Sequence, residues 1–318
     1  MNEKKDLKET YFPVEKLMSI RKRLVGDLSM ENFENLIATF DKGTFVPFVG
    51  AGPSEVLGVP GWKELFKKMT DSLNLKTKLR KDSEGNPDYP GAFSRLYKRN
   101  PDDFFEKLFE NVKLTKSRFS GLHQTIWKVF GLCITTNFDD AFRNAYTAYK
   151  SSGTEVKLKE YCFNWVEMNN FENSIIYLHG HKDINFAIVK KEDYDYFYPS
   201  INQTNGIPIL ENFLKEIYYH KTIIFIGFSF SDHYISKFFL NLAKKGGEDR
   251  KHFWVTSDDC FSHKETKKKI LNFYEYWKEL NVFPIVYNHG YHRFVEELIE
   301  FLGENQKNKS QVKTEGAF

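Results

Sequence analysis

Six uninterrupted apolar runs constrain this chain more than any other feature: TFVPFV (44–49), LCITT (132–136), SIIYLH (174–179), TIIFIG (222–227), HFWVT (252–256) and VFPIVY (282–287). They are continuous rather than alternating, as strands covered on both faces of a parallel sheet are. Pro47 and Pro284 stand against two of the six, because proline cannot donate to a ladder.

Between the runs lie amphipathic helix patterns. Trp62, Leu65, Phe66, Met69 and Leu73 recur at helical spacing, and so do Phe104, Phe105, Leu108, Phe109 and Val112 after the cap signal Asn100-Pro101. Phe138, Ala141, Phe142, Ala145 and Tyr149 give a third stripe, and Ile235, Phe238, Phe239 and Leu242 a fourth that ends at Gly246-Gly247. Strands alternating with helices predict an α/β fold, a Rossmann-like doubly wound parallel sheet of about six strands. Residues 59 to about 128 read as helix only and are flanked by strands, so they are expected to form an all-helical module inserted into a sheet domain spanning 39–303. Residues 1–38 carry a helical pattern of their own, and 304–318 are expected to be a disordered tail.

Composition narrows the function classes. A formal charge of +3 on 318 residues makes no electrostatic demand for nucleic acid, which argues against direct nucleic-acid binding. The run His263 to Lys269 reads as the solvated face of a helix whose inner face is Ile270, Phe273 and Trp277. Cys133, Cys162 and Cys260 stand far apart, which fits a reducing cytoplasm and argues against disulfides or a structural zinc site. The opening MNEKKDLKET has no apolar h-region, and no run approaches the length of a membrane helix.

The first strand breaks into Gly50-Ala51-Gly52, which suits either a phosphate-holding turn or a bland strand-to-helix turn. The dinucleotide fingerprint G-x-G-x-x-G fails, since Glu55 holds the third glycine position and no strand ending in an acid follows. A P-loop fails for want of G-K-S/T. The other strand ends change the balance. The second runs into Thr135-Thr136-Asn137-Phe138-Asp139, the third into His179-Gly180-His181, and the fourth into Gly227-Phe228-Ser229-Phe230-Ser231-Asp232. Ligands of open parallel sheets bind outside such carboxyl ends, so these clusters are expected to converge above the Gly50 turn.

Together these residues resemble the sirtuins and their zinc-less bacterial relatives. Gly50-Ala51-Gly52-Pro53-Ser54 followed by Gly58-Val59-Pro60 is similar to the family's G-A-G-x-S and G-I-P-D-F-R, and Thr135 to Asp139 to its T-Q-N-I-D. His179-Gly180 resembles its catalytic histidine and glycine, and Gly227-Phe228-Ser229 its G-T-S. The four matches come in family order across residues 50 to about 232. Two departures stand out. The zinc-binding cysteine pairs are missing, and Gly61-Trp62-Lys63 replaces the Asp-Phe-Arg of the cofactor loop. The wording TTNFD and GFSFSD resembles the sirtuin-like NAD hydrolases of bacterial anti-phage defence, in which NAD depletion arrests the infected cell.

The resemblance implies NAD as substrate, no metal, and a site with Asn137 and His179 as catalytic residues. Asn137 would orient a ribose hydroxyl and the attacking water, and His179 would accept a proton. Gly50, Ala51, Gly52 and Ser54 would hold the diphosphate, and Gly227 and Ser229 would touch the same cofactor beside Thr136. Asp139 would fix the Asn137 loop. Asp232 reads equally as a cofactor contact or as a first-turn helix residue beside a Ser231 cap. Taken alone, Asn137 reads as a helix N-cap and His179 as a satisfied core histidine. His181 and the pair His289/His292 read as surface or capping residues rather than metal ligands. An enzyme that destroys NAD must be held in check, which implies a homo-oligomer or a partner. In related systems the partner is a DNA-translocating ATPase or helicase, or an Argonaute-type protein. Two other classes stay open: an NAD-dependent protein deacylase, which the missing cysteines count against, and a non-catalytic nucleotide-sensing or scaffold subunit.

Overall fold

The protein is described by a computed structural model covering residues 14–315, apart from 42, 83–84, 115–117, 151–156, 163–171, 231, 246–249, 261–266 and 292. The expected Ser231 cap, His292, the Gly246-Gly247 stop and the basic residues at 263–266 therefore lie outside the described residues.

All six apolar runs form strands: β1 (Phe45–Val49), β2 (Leu132–Thr135), β4 (Ser174–Tyr177), β7 (Thr222–Ile226), β8 (His252–Ser257) and β9 (Val282–Tyr287). Three more strands fall between them: β3 (Lys159–Cys162), β5 (Gly180–His181) and β6 (Phe186–Ala187). Seven strands make one parallel sheet in the order β3-β4-β2-β1-β7-β8-β9, and β5 and β6 form a small antiparallel pair. The fold is α/β and Rossmann-like, with one strand more than expected. The missed strand, Lys-Glu-Tyr-Cys, is an edge strand whose side chains are half-buried or exposed, so it never needed a continuous apolar run.

Both doubtful prolines are accommodated. The Gly50 N–H donates to Ile226 O at 3.0 Å, so alternate residues 48 and 46 also face β7 and Pro47 faces β2. The β1–β2 register begins only at Phe48↔Ile134, one residue beyond the proline. Pro284 lies in the edge strand β9, where its carbonyl accepts from Asn32 Nδ2 at 2.8 Å.

Residues 62–112 form three helices, Trp62–Ser72, Tyr89–Arg99 and Pro101–Val112, around their own apolar cluster of Leu65, Met69, Phe93, Phe104 and Leu108. Asp88 and Asn100 cap the second and third through Gly91 N and Asp103 N. The insert is shorter than expected. Helix Gly121–Phe130 packs Ile126, Trp127 and Phe130 into the main core, because its apolar stripe faces the sheet. The insert is not isolated either, since Phe138 from the loop after β2, Ala187 of β6 and Val189 just beyond it belong to its cluster.

The tail also departs from expectation. Helix Phe294–Glu315 continues past residue 304. Leu302 and Asn305 are buried, Glu304 pairs with Lys16 at 3.0 Å, and the sequence beyond is rich in helix-favouring Glu, Gln and Lys.

Candidate active site

The register puts four strand ends at one level. Val49 aligns with Thr135 on one side and Ile226 on the other, and Thr135 aligns with Tyr177. Gly50, Thr136, Leu178 and Gly227 therefore leave the sheet side by side. The chain proceeds from β1 to β2 on one flank and later to β7 on the other, so the strand order reverses at β1. That is the position where open α/β sheets hold ligands. Asn137 and His179 each stand two residues beyond an aligned pair on the neighbouring strands β2 and β4.

The glycine turn is built against Gly227. A Cβ on Gly50 would lie 2.5 Å from Gly227 O and 2.8 Å from Phe228 Cα, and one on Gly52 would lie 3.0 Å from Gly227 Cα. Gly227 itself has φ +57° and faces Pro53, so no side chain fits there either. The turn amides are occupied: Gly50 N donates to Ile226 O, Gly52 N to Gly227 O at 3.0 Å, and Ser54 N to Ala51 O at 2.9 Å. The expectation that Gly50, Gly52 and Ser54 offer their N–H groups to a diphosphate is corrected on this point. The glycines here serve close approach of two backbones. Ser54 is buried and presents no hydroxyl to solvent.

Asn137 binds that turn. Its Nδ2 donates to Gly50 O at 3.0 Å and to Ser54 Oγ at 3.2 Å, while its backbone N–H donates to Thr135 Oγ1 at 3.1 Å. Thr135 Oγ1 in turn donates to Val49 O at 2.9 Å. Both Nδ2 protons are engaged, which leaves the side-chain oxygen as the acceptor to orient a ligand. The helix-cap reading of Asn137 does not hold. The next helix starts at Ala141, and its first amide is held by Asp139 Oδ1 at 2.8 Å. Burial raises the Asp139 pKa, against the opposing pull of the Ala141 N–H and the nearby Ser54 hydroxyl. Asp139 is buried, and its Oδ1 is committed to the first amide of the next helix rather than turned toward a ligand.

His179 is fully buried. Its Nε2 lies 3.0 Å from Tyr198 Oη, and its Nδ1 has no hydrogen-bond partner among the described residues. The rings of Tyr194 and Tyr198 meet it edge-on, with centroids 5.3 and 6.0 Å away. Burial lowers its pKa to about 4, with Asp232 opposing, so the imidazole is neutral at pH 7. Asp232 caps helix His233–Lys244 through Tyr234 N and Ile235 N, and its Oδ2 accepts from Tyr194 Oη at 2.8 Å. Tyr194 also stacks on Tyr234 at 4.4 Å. Tyr194 and Tyr198 were missed in the sequence, although their stretch, EDYDYFYPS, carries four aromatics in nine residues.

The remaining residues are scattered around this centre. Thr136 is half-buried, and Ser229 is exposed beyond Gly227. Trp62, in the departing part of the cofactor loop, stacks on Tyr89 at 6.0 Å and leans on Phe93 at 5.7 Å, closing the loop onto the insert. His181 is buried and caps a short 3-10 turn, Lys182–Ile184, through Asp183 N. His289 Nδ1 pairs with Asp259 at 2.5 Å, and its N–H is held by Asp258 at 2.7 Å. Among the described residues, Asp258, Asp259 and His289 bring ligand-type atoms within 4.8 Å of one another. No helix among the described residues is long and apolar enough to cross a membrane.

Comparison with known proteins finds similarity to one family. Residues 131–285 match the SIR2-like domain family. An Acinetobacter baumannii protein named NAD(+) hydrolase ThsA is 24% identical over 63% of this chain and 39% of its own length. Defense-associated sirtuin 2 of Bacillus subtilis is 24% identical over 74% of this chain and 23% of its own. Enterococcus faecium NAD(+) hydrolase ThsA is 25% identical over 73% and 44%. The chain thus spans less than half the length of these relatives. The crystal structure of a Sir2 homolog–NAD complex superposes over 86% of this chain and 94% of that one, with TM-score 0.44 and 13% identity. The family match begins just before β2 and takes in Asn137, His179 and Gly227, so the similarity to the SIR2-like domain spans the central strands of the sheet.

Proposed function

We propose that the chain is an NAD glycohydrolase, cleaving the bond between nicotinamide and ribose to give nicotinamide and ADP-ribose, and that it serves as a regulated effector of anti-phage defence. The observation that carries this reading is the placement of Asn137 and His179 at one level on adjacent strands at the point where strand order reverses. The relatives named NAD(+) hydrolase support it.

The chemistry follows from what these groups can do. Nicotinamide leaves as a neutral base, so the site needs no acid for it. It needs a held ribose, shielding of the positive charge that develops on the sugar, and a placed water. Asn137, pinned through Nδ2, has its Oδ1 free to accept from a ribose hydroxyl or that water. His179 has an Nδ1 unpartnered among the described residues. Desolvation is the main cause of its low pKa, so readmitted water restores its basicity and lets it take the proton of the attacking water. NAD depletion by such an enzyme would arrest the infected cell, and the closed setting of His179 suits an enzyme activated by assembly or by a partner.

One observation favours a second reading. The full burial of His179 would also suit a subunit that binds a nucleotide without cleaving it. Incubating the purified chain with NAD, alone and with the products of neighbouring genes, and quantifying nicotinamide separates the two. Release that disappears in Asn137→Ala and His179→Ala supports the hydrolase. Release that survives both substitutions, or NAD binding with no release in any state, overturns it.

A further inference from the structure

A second polar cluster lies behind the two candidate catalytic residues and joins their loops. Asp140 stands three residues after Asn137, and His181 two residues after His179. His181 is buried although it is polar, with its ring 4.4 Å from that of Tyr177. Its Nε2 donates to Asp140 Oδ1 at 3.2 Å, and its Nδ1 faces the Asp183 N–H at 3.4 Å. Lys182 and Arg143 also bind the Asp140 carboxylate, Arg143 at 3.3 Å. Arg143 reaches on to Glu160 of β3 at 2.7 Å and to Asp183 at 2.5 Å.

The arrangement bridges segments that backbone pairing leaves apart. The last ladder pair between β2 and β4 is Thr135↔Tyr177, and beyond it Leu178 N reaches back to Thr135 O at 2.8 Å. Past that bond, the His181–Asp140 contact is a direct link between the Asn137 loop and the His179 turn. Asn137 is fixed in front by Gly50 and Ser54, and Asp140 fixes the rear of the same loop. A buried, charge-assisted bond of this kind sets separation as well as adding stability.

We propose that Asp140 and His181 are positioning residues, a couple that holds Asn137 and His179 at their working separation without touching substrate. The proposal rests on the hydrolase reading only for its kinetic consequence. The structural part can be read without NAD. In a chain labelled at its histidine rings, Asp140→Ala is expected to shift the His179 ring signals, and Asp140→Asn, which keeps an acceptor for His181 Nε2, to leave them near the wild-type position. Unmoved His179 signals in a folded Asp140→Ala chain overturn the proposal. So do equal shifts in both variants. If Asp140→Ala does not fold, His181→Gln against His181→Leu makes the same comparison from the other side of the bond.

Where the wild type releases nicotinamide, Asp140→Ala should lower kcat by about tenfold to a hundredfold, the scale of a small misplacement of reacting groups. KM for NAD should stay within about twofold, and Asp140→Asn should recover most of the rate. A loss confined to KM, or no recovery, overturns the couple. A wild type that releases no nicotinamide instead counts against the hydrolase reading, and the ring signals then decide the couple alone.

Discussion

Asn137 Nδ2 lies 3.0 Å from the carbonyl oxygen of Gly50, so the amide that names the candidate site is tied to the turn that opens it. This bond joins the end of β2 to the end of β1, and Ser54 Oγ shares the same donor group. Asn137→Asp is therefore expected to be worse than Asn137→Ala. A carboxylate would face a carbonyl oxygen with no proton to offer. Nicotinamide release should fall by about 10²-fold or more in Ala, the scale on which removal of one positioned polar group acts, and further in Asp. Equal activity of Asp and wild type would remove Asn137 from the site.

Gly50→Ala should destabilise the fold by about 1–3 kcal/mol, the usual cost of forcing extra volume into a packed place. The added methyl meets backbone of the Gly227 turn on two sides. Gly58→Ala is the control. It has φ +91° but open space around it, so it carries only the left-handed backbone cost of about 1–2 kcal/mol. Chemical denaturation of both variants checks this, and a Gly50→Ala chain as stable as wild type contradicts the close approach.

Acid should unfold the protein through its buried histidines. His179 has a folded pKa of about 4, below the ordinary value near 6.5, so the unfolded chain binds the proton more readily. Its contribution is fully present above about pH 6.5 and is lost as pH falls toward 4, on the order of 3 kcal/mol across that window. His252 and His123, each lowered to about 3 by burial, add slope in the same direction. Urea midpoints from pH 7 to 4 should fall steadily, and His179→Gln should flatten part of the fall. A slope unchanged by that substitution would mean His179 is already solvated.

Tyr198→Phe removes the hydrogen bond that Tyr198 Oη shares with His179 Nε2 and keeps the ring that packs beside it. Leaving that buried nitrogen unsatisfied should cost about 1–3 kcal/mol. In a His179→Leu background the same change should cost much less, because no imidazole is left to satisfy. A double-mutant cycle by denaturation measures the difference, and additive costs would show that the two side chains do not interact.

The sheet was legible because buried parallel strands must be apolar throughout, as Leu132–Thr135 and Thr222–Ile226 are. The edge strand Lys159–Cys162 was hidden because one neighbour and partial exposure ask little of its side chains. Helix Gly121–Phe130 was assigned to the insert because helical periodicity shows that a face is buried but not against what. At the site, sequence order brought Asn137, His179 and Gly227 to one edge. It could not show that the Gly50 and Gly52 amides are spent on β7, since a glycine needed for backbone contact and one needed for phosphate read alike. Tyr194 comes from a separate helix, Lys191–Phe197, and Tyr198 follows its end, and only tertiary packing brings them over His179.

The joint between the Gly50 and Gly227 turns has a mechanical consequence. Two backbone bonds and two interlocked glycines weld the ends of β1 and β7 into one rigid post. Asn137 is bonded to this post through Gly50 O and Ser54 Oγ, so the loop that carries it shares the post's rigidity.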